Sequence, residues 1–80
     1  MNVVIKHEVK PIKNGYMATA RAMKVAAQGY NEETAKANLE RTVRLLLAPL
    51  EREGVLEDEL HKMGIEMEAP SERGLTISFA

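Results

Sequence analysis

The chain predicts an α+β domain in which a small, antiparallel-type sheet carries one long helix on one face, in the order β-β-β-α-(α)-β-β. Three observations lead there. Short runs with apolar residues at every second position occupy both ends, and a single stretch of helical periodicity occupies the middle. All five glycines (Gly15, Gly29, Gly54, Gly64 and Gly74) fall where one pattern gives way to another. Eighty residues form a single domain, 1–80. A domain of this size buries only about 60–65% of the surface its unfolded chain exposes, so a partner would add stability that the core cannot.

Val3, Ile5, His7 and Val9 alternate with polar or outward positions, which predicts a first strand through this run, ended by Pro11. Asn14-Gly15 predicts a hairpin turn, because both residues tolerate positive φ. A second strand over residues 16–22 and a third over 23–28 follow, joined near residues 21–24 without any of the usual turn residues. Ala18, Ala20, Ala26 and Ala27 are small enough to let a helix lie close on the sheet. Beyond the long helix, Leu56, Leu60 and Met63 mark one face of a short second helix that opens with Glu57, Asp58 and Glu59 and stops at Gly64. Ile65 with Met67, and Leu75 with Ile77 and Phe79, alternate with polar residues as two short strands about a turn over residues 70–74.

The organising stretch runs from Gly29 to Gly54. Asn31 is placed to cap a helix that starts near Glu32, and Glu32 and Glu33 set negative charge at the positive end of its dipole. Ala35, Leu39, Val43, Leu46 and Leu50 form the expected buried stripe. Glu32 with Lys36, and Glu40 with Arg44, are i,i+4 pairs on the solvated side, worth ~0.3–0.5 kcal/mol each. Leu45-Leu46-Leu47 fans across about 200° of the helix, more than one sheet covers. Leu45 and Leu47 are therefore the candidates to face a second copy of the chain, and a homo-oligomer is expected. Pro49 predicts a kink or restart, and Gly54 a left-handed stop.

Catalytic, cofactor and metal chemistry find no foothold. His7 and His61 lack ligand-spaced neighbours, and Ser71 and Ser78 lack a base presented by any motif. Gly29 precedes an acidic helix start, which repels phosphate. Metal-assisted hydrolysis needs converging carboxylates, and the early strands offer Glu8 alone. The chain has no cysteine, which suits a reducing compartment, and charges interrupt the N-terminal apolar run, so neither a signal peptide nor a membrane span is predicted there. A soluble, cytoplasmic protein is expected.

Charge is divided unevenly: residues 1–44 hold eight Lys/Arg against four Asp/Glu, and residues 45–80 hold three against eight. Lys6, Lys10, Lys13, Arg21 and Lys24 in the strand region suit an RNA contact, although lysines also guard a sheet edge against strand addition. Stacking aromatics are few: Tyr16, Tyr30 and Phe79. The acidic half, with Glu51, Glu53, Glu57, Asp58 and Glu59 as its densest run, is either a solubilising face or a surface complementary to a basic partner.

Gly15-Tyr16-Met17-Ala18 after the hairpin turn resembles the Gly-Tyr-apolar-Ala of the HicB-like antitoxins. The resemblance continues at Gly29, Asn31, the pair Glu32-Glu33, Ala35 and Asn38, and covers residues 1 to about 65. It implies a degenerate RNase H-like fold and a binding module, not an enzyme. Such a module blocks a small, basic, RNA-cleaving toxin of the HicA type and assembles with itself. The chain departs from the family at Arg21-Ala22-Met23-Lys24, where members carry a loop containing Pro or Gly. Members that regulate their own operon append a helix-turn-helix or ribbon-helix-helix segment; this chain ends at Ala80, so DNA binding is not expected. The alternatives are an orphan structural or regulatory module that keeps the fold without a toxin, and, third, a weak RNA-binding protein.

Overall fold

The computed structural model describes residues 2–68 and 74–80. Along the chain run β1 (Asn2–Ile5), β2 (Glu8–Ile12), β3 (Gly15–Ala20), a 3-10 turn (Arg21–Met23), β4 (Val25–Gly29), α1 (Glu32–Arg52), α2 (Leu56–Lys62), β5 (Glu66–Glu68) and β6 (Thr76–Phe79). The class is α+β, as the periodicities predict, but the strands form two three-stranded sheets instead of one. The first, β2-β3-β4, is antiparallel throughout; in the second, β5-β1-β6, β1 runs antiparallel to β5 and parallel to β6.

The single strand expected over residues 3–9 is split at Lys6 and His7. Upstream of the split the backbone pairs with β5 and β6, and downstream with β3. The junction is held from the far end of the chain. Ala80 N–H donates to the Ile5 carbonyl at 2.9 Å, the Ala80 carbonyl accepts from His7 N–H at 3.2 Å, and the His7 Nδ1 lies 2.9 Å from that same oxygen. The His7 and Phe79 rings tilt against each other at 5.1 Å. Pro11 does not end the strand: it lies within β2 opposite Tyr16, on an edge strand where a missing N–H is tolerated. The turn sits one residue earlier than predicted, on Lys13 and Asn14, with Ile12 opposite Gly15 and Asn14 at φ 69°. Between β3 and β4 the left-handed position is taken by Lys24, at φ 58°.

Asn31 caps α1 as its sequence position suggests, with Oδ1 accepting from Thr34 N–H at 2.8 Å. The helix passes through Pro49 to Arg52 without the predicted restart. Proline cannot donate to the Leu45 carbonyl, and that turn is open to water because Leu45 is 71% exposed. The buried stripe is Ala35, Leu39, Val43 and Leu47, with steps of four throughout; Leu46, predicted on the stripe, is 45% exposed. α1 packs on β3 and β4 over Ala18 and Ala20, which are fully buried. Ala26, expected on this face, points to the other side of the sheet and is exposed. At Gly29 the approach is closest: a Cβ there would collide with the Ala35 nitrogen and lie 2.6 Å from the Thr34 carbonyl carbon. Asn38 ties helix to strand by donating from Nδ2 to the Gln28 carbonyl at 2.7 Å.

Gly54 and Gly64 take left-handed conformations on either side of α2, whose Leu56 and Leu60 join one core with Val3, Ile5, Leu39, Val43 and Leu47. Val4 and Asn2 face the other side of β1, where Asn2 bonds Thr76 at 2.8 Å, Ser78 at 3.1 Å and Glu68 at 3.2 Å. The turn predicted over residues 70–74 lies outside the described residues except for Gly74. Among the described residues no helix is long and apolar enough to cross a membrane.

Candidate interaction surfaces

The five acidic residues singled out in the sequence do not form one patch. Glu51 and Glu53 lie two positions apart at the end of α1, about 200° apart around its axis at ~100° per residue. Glu51 faces Glu57 and Asp58 across the Gly54 turn, and together with Leu56 they line an open groove of about 410 Å³. Glu53 sits on the other side of the helix end. Glu59 is half-buried and engaged with Lys62 at 3.4 Å. The chain reverses here because Gly54 adopts φ 74°, which brings the end of α1 against the start of α2. Glu51, Glu57 and Asp58 are all exposed, and none forms an ion pair among the described residues. Their carboxylates give the groove a negative lining.

Of the two self-association candidates, only Leu45 is available. Leu47 is fully buried in the core and has no surface to offer a second copy, which corrects the expectation drawn from the Leu45-Leu46-Leu47 arc. The arc does need more cover than one sheet supplies, and for Leu47 the chain's own core supplies it. What remains outside is Leu45 at 71%, Leu46 at 45% and the exposed ring of Pro49. Pro49 sits four residues after Leu45, on the same ridge. That ridge extends at the same spacing to Arg41 on one side and Glu53 on the other, both exposed. The i+4 recurrence of Arg41, Leu45, Pro49 and Glu53 is present in the sequence, although its charged ends lie outside the apolar arc.

Of the basic residues of the strand region, Lys6 and Arg21 border one groove together with Glu8. Arg21 is bonded to Glu8 at 3.0 Å, while Lys6, Lys10, Lys13 and Lys24 are exposed. Tyr16 packs on the core and Phe79 meets His7, so of the aromatics named above only Tyr30, 90% exposed, stands clear. It borders an open groove of about 430 Å³ with Gln28, Thr34 and Asn38. Among the described residues no three His, Asp or Glu side chains are grouped as metal ligands. Comparison with protein-family models, with curated proteins and with solved structures returns no match.

Proposed function

We propose that this chain is a protein-binding module of the HicB-antitoxin kind, which assembles with itself and occludes a small, basic, RNA-cleaving protein. The observation that carries the reading is the groove at the α1–α2 corner, where Glu51, Glu57 and Asp58 are exposed and unpaired among the described residues. A toxin that grips RNA needs a positive surface, and these carboxylates are its complement. Complementary charge acts mainly on the rate of encounter. The capped start of α1 at Asn31, the tight passage at Gly29 and the Asn38 bond to β4 give structural reasons for the residues on which the resemblance rests.

The test is stopped-flow association with a HicA-type toxin at several salt concentrations. Glu51→Lys is the informative variant, because Glu51 lies in the last turn of α1, where positive charge suits the helix dipole. A loss of association therefore cannot be put down to a weakened helix. By itself it is expected to slow association about threefold at low salt and to flatten the salt dependence. An unchanged rate would reduce the corner to a solvated face, and a chain that binds no basic partner at all is the orphan module.

A further inference from the structure

We infer that two copies of this chain pair through α1 in antiparallel fashion about a two-fold axis that passes between Leu45 and Pro49, with Arg41 of each copy meeting Glu53 of the other. The inference rests on the self-association part of the proposed function and says which surface performs it. On α1, Arg41, Leu45, Pro49 and Glu53 recur every four residues and so form one continuous ridge on the helix surface. Glu53 continues the helical course as the C-cap, in right-handed conformation, with its N–H bonded to the Pro49 carbonyl at 3.0 Å. All four residues are exposed. The ridge reads cation, apolar, apolar, anion, and an antiparallel copy reads it in reverse.

Superposing the ridge on its reverse places Leu45 against Pro49 of the second copy and Arg41 against Glu53, twice per interface. Leu46, half-exposed beside the ridge, adds to the apolar centre. Neither Arg41 nor Glu53 has an ion-pair partner among the described residues, whereas Arg44, one turn round the helix, is occupied by Glu40 at 3.5 Å and the Leu75 carbonyl at 3.2 Å. Ridges at four-residue spacing seated in one another's grooves are the commonest way two helices pack, and they run side by side in such a contact. An isologous contact requires a patch that is its own complement, and the order of charged and apolar residues along this ridge meets that condition. A contact of one helix face lies near the lower limit for a specific interface, about 1,000 Å² in total, so dissociation at micromolar concentration is expected.

Sedimentation equilibrium of the intact chain at low salt tests the inference. Arg41→Glu alone and Glu53→Arg alone each set like charges opposite one another and should raise the dimer dissociation constant about fivefold to tenfold. Arg41→Glu with Glu53→Arg in the same chain inverts both pairs and should restore it to within about twofold of the parent, an outcome that a general charge effect does not produce. Circular dichroism of the three variants should match the parent, because both side chains are exposed. A parent that stays monomeric to several hundred micromolar overturns the self-association reading and this inference together. A dimer indifferent to both single reversals, or one that the double reversal fails to restore, overturns the α1 pairing alone and leaves self-association to another surface.

Discussion

Leu46 and Leu47 are neighbours in the chain and differ in their whole environment, half-exposed against fully buried. Steps of four carry the buried stripe from Ala35 to Leu47, so the buried face drifts around α1 as the helix leaves β3 and β4 and reaches the Leu56 and Leu60 side of the core. Leu47→Ala should therefore cost about 2–5 kcal/mol in chemical denaturation, whereas Leu46→Ala should cost much less. Leu47→Glu should unfold the chain outright, since it buries an unpaired charge. At Gly29 the same logic is steric: Gly29→Ala forces α1 off β4 and should lower the melting temperature by several degrees, although the residue needs no unusual backbone angle. Glu8 carries a different expectation. Its carboxylate lies beside Arg21 and is not grouped with further His, Asp or Glu ligands among the described residues, so no cleavage of an RNA–DNA hybrid in magnesium or manganese is expected from the purified protein. Metal-dependent cleavage lost in Glu8→Gln would refute that.

At the scale of elements, both helices, their caps and the strand segments were legible, because each depends on neighbours within a few residues. Asn31, Glu32, Gly54 and Gly64 act locally and sit where their chemistry puts them. The division of the first strand was not legible. Val3, Ile5, His7 and Val9 keep the same parity across the break, and what ends β1 is a hydrogen-bond exchange with Ala80, 73 residues from His7. Separation into two sheets is likewise a matter of long-range pairing that leaves no trace in the period. The candidate site was partly legible for the same reason. Acidic composition showed in the sequence, but which carboxylates share a face depends on the helix rotation between Glu51 and Glu53 and on the Gly54 reversal. Pro49 carries the sequence signature of a helix break, but it lies on an exposed face where water can serve the Leu45 carbonyl. Pro49→Ala returns an N–H to that carbonyl and should stabilise the monomer by about 1 kcal/mol or more in urea titration, because interior proline costs a helix ~3 kcal/mol and part of that is already recovered by solvent.

For the whole molecule, the decisive contact joins its two ends. β1 is the central strand of its sheet, and its parallel partner β6 arrives more than seventy residues later, with Val3 opposite Ile77 and Ile5 opposite Phe79. Val3 and Ile5 are fully buried, and they are so in company with Ile77, Phe79 and Leu75, each packed against the core. Arg44 reinforces this closure from α1 by donating to the Leu75 carbonyl. The sheet β2-β3-β4 with α1 is assembled from neighbours in sequence, whereas β5-β1-β6 must wait for the chain to come back on itself, an entropic cost that delays its formation. Removing residues 74–80 should therefore do more than shorten an edge. It takes away one side of β1, exposes the apolar face of Val3 and Ile5, and leaves His7 without the carbonyl that fixes the bend. The expected outcome is loss of the cooperative melt, with the helical signal of α1 reduced but not abolished, because its contacts with β3 and β4 do not pass through β6. Circular dichroism and hydrogen exchange check this together: amides of β1 should lose protection first and most, and those of β3 and β4 last. A truncated chain that still melts in one sharp step near the parent temperature would mean that β6 lies on the fold without completing it.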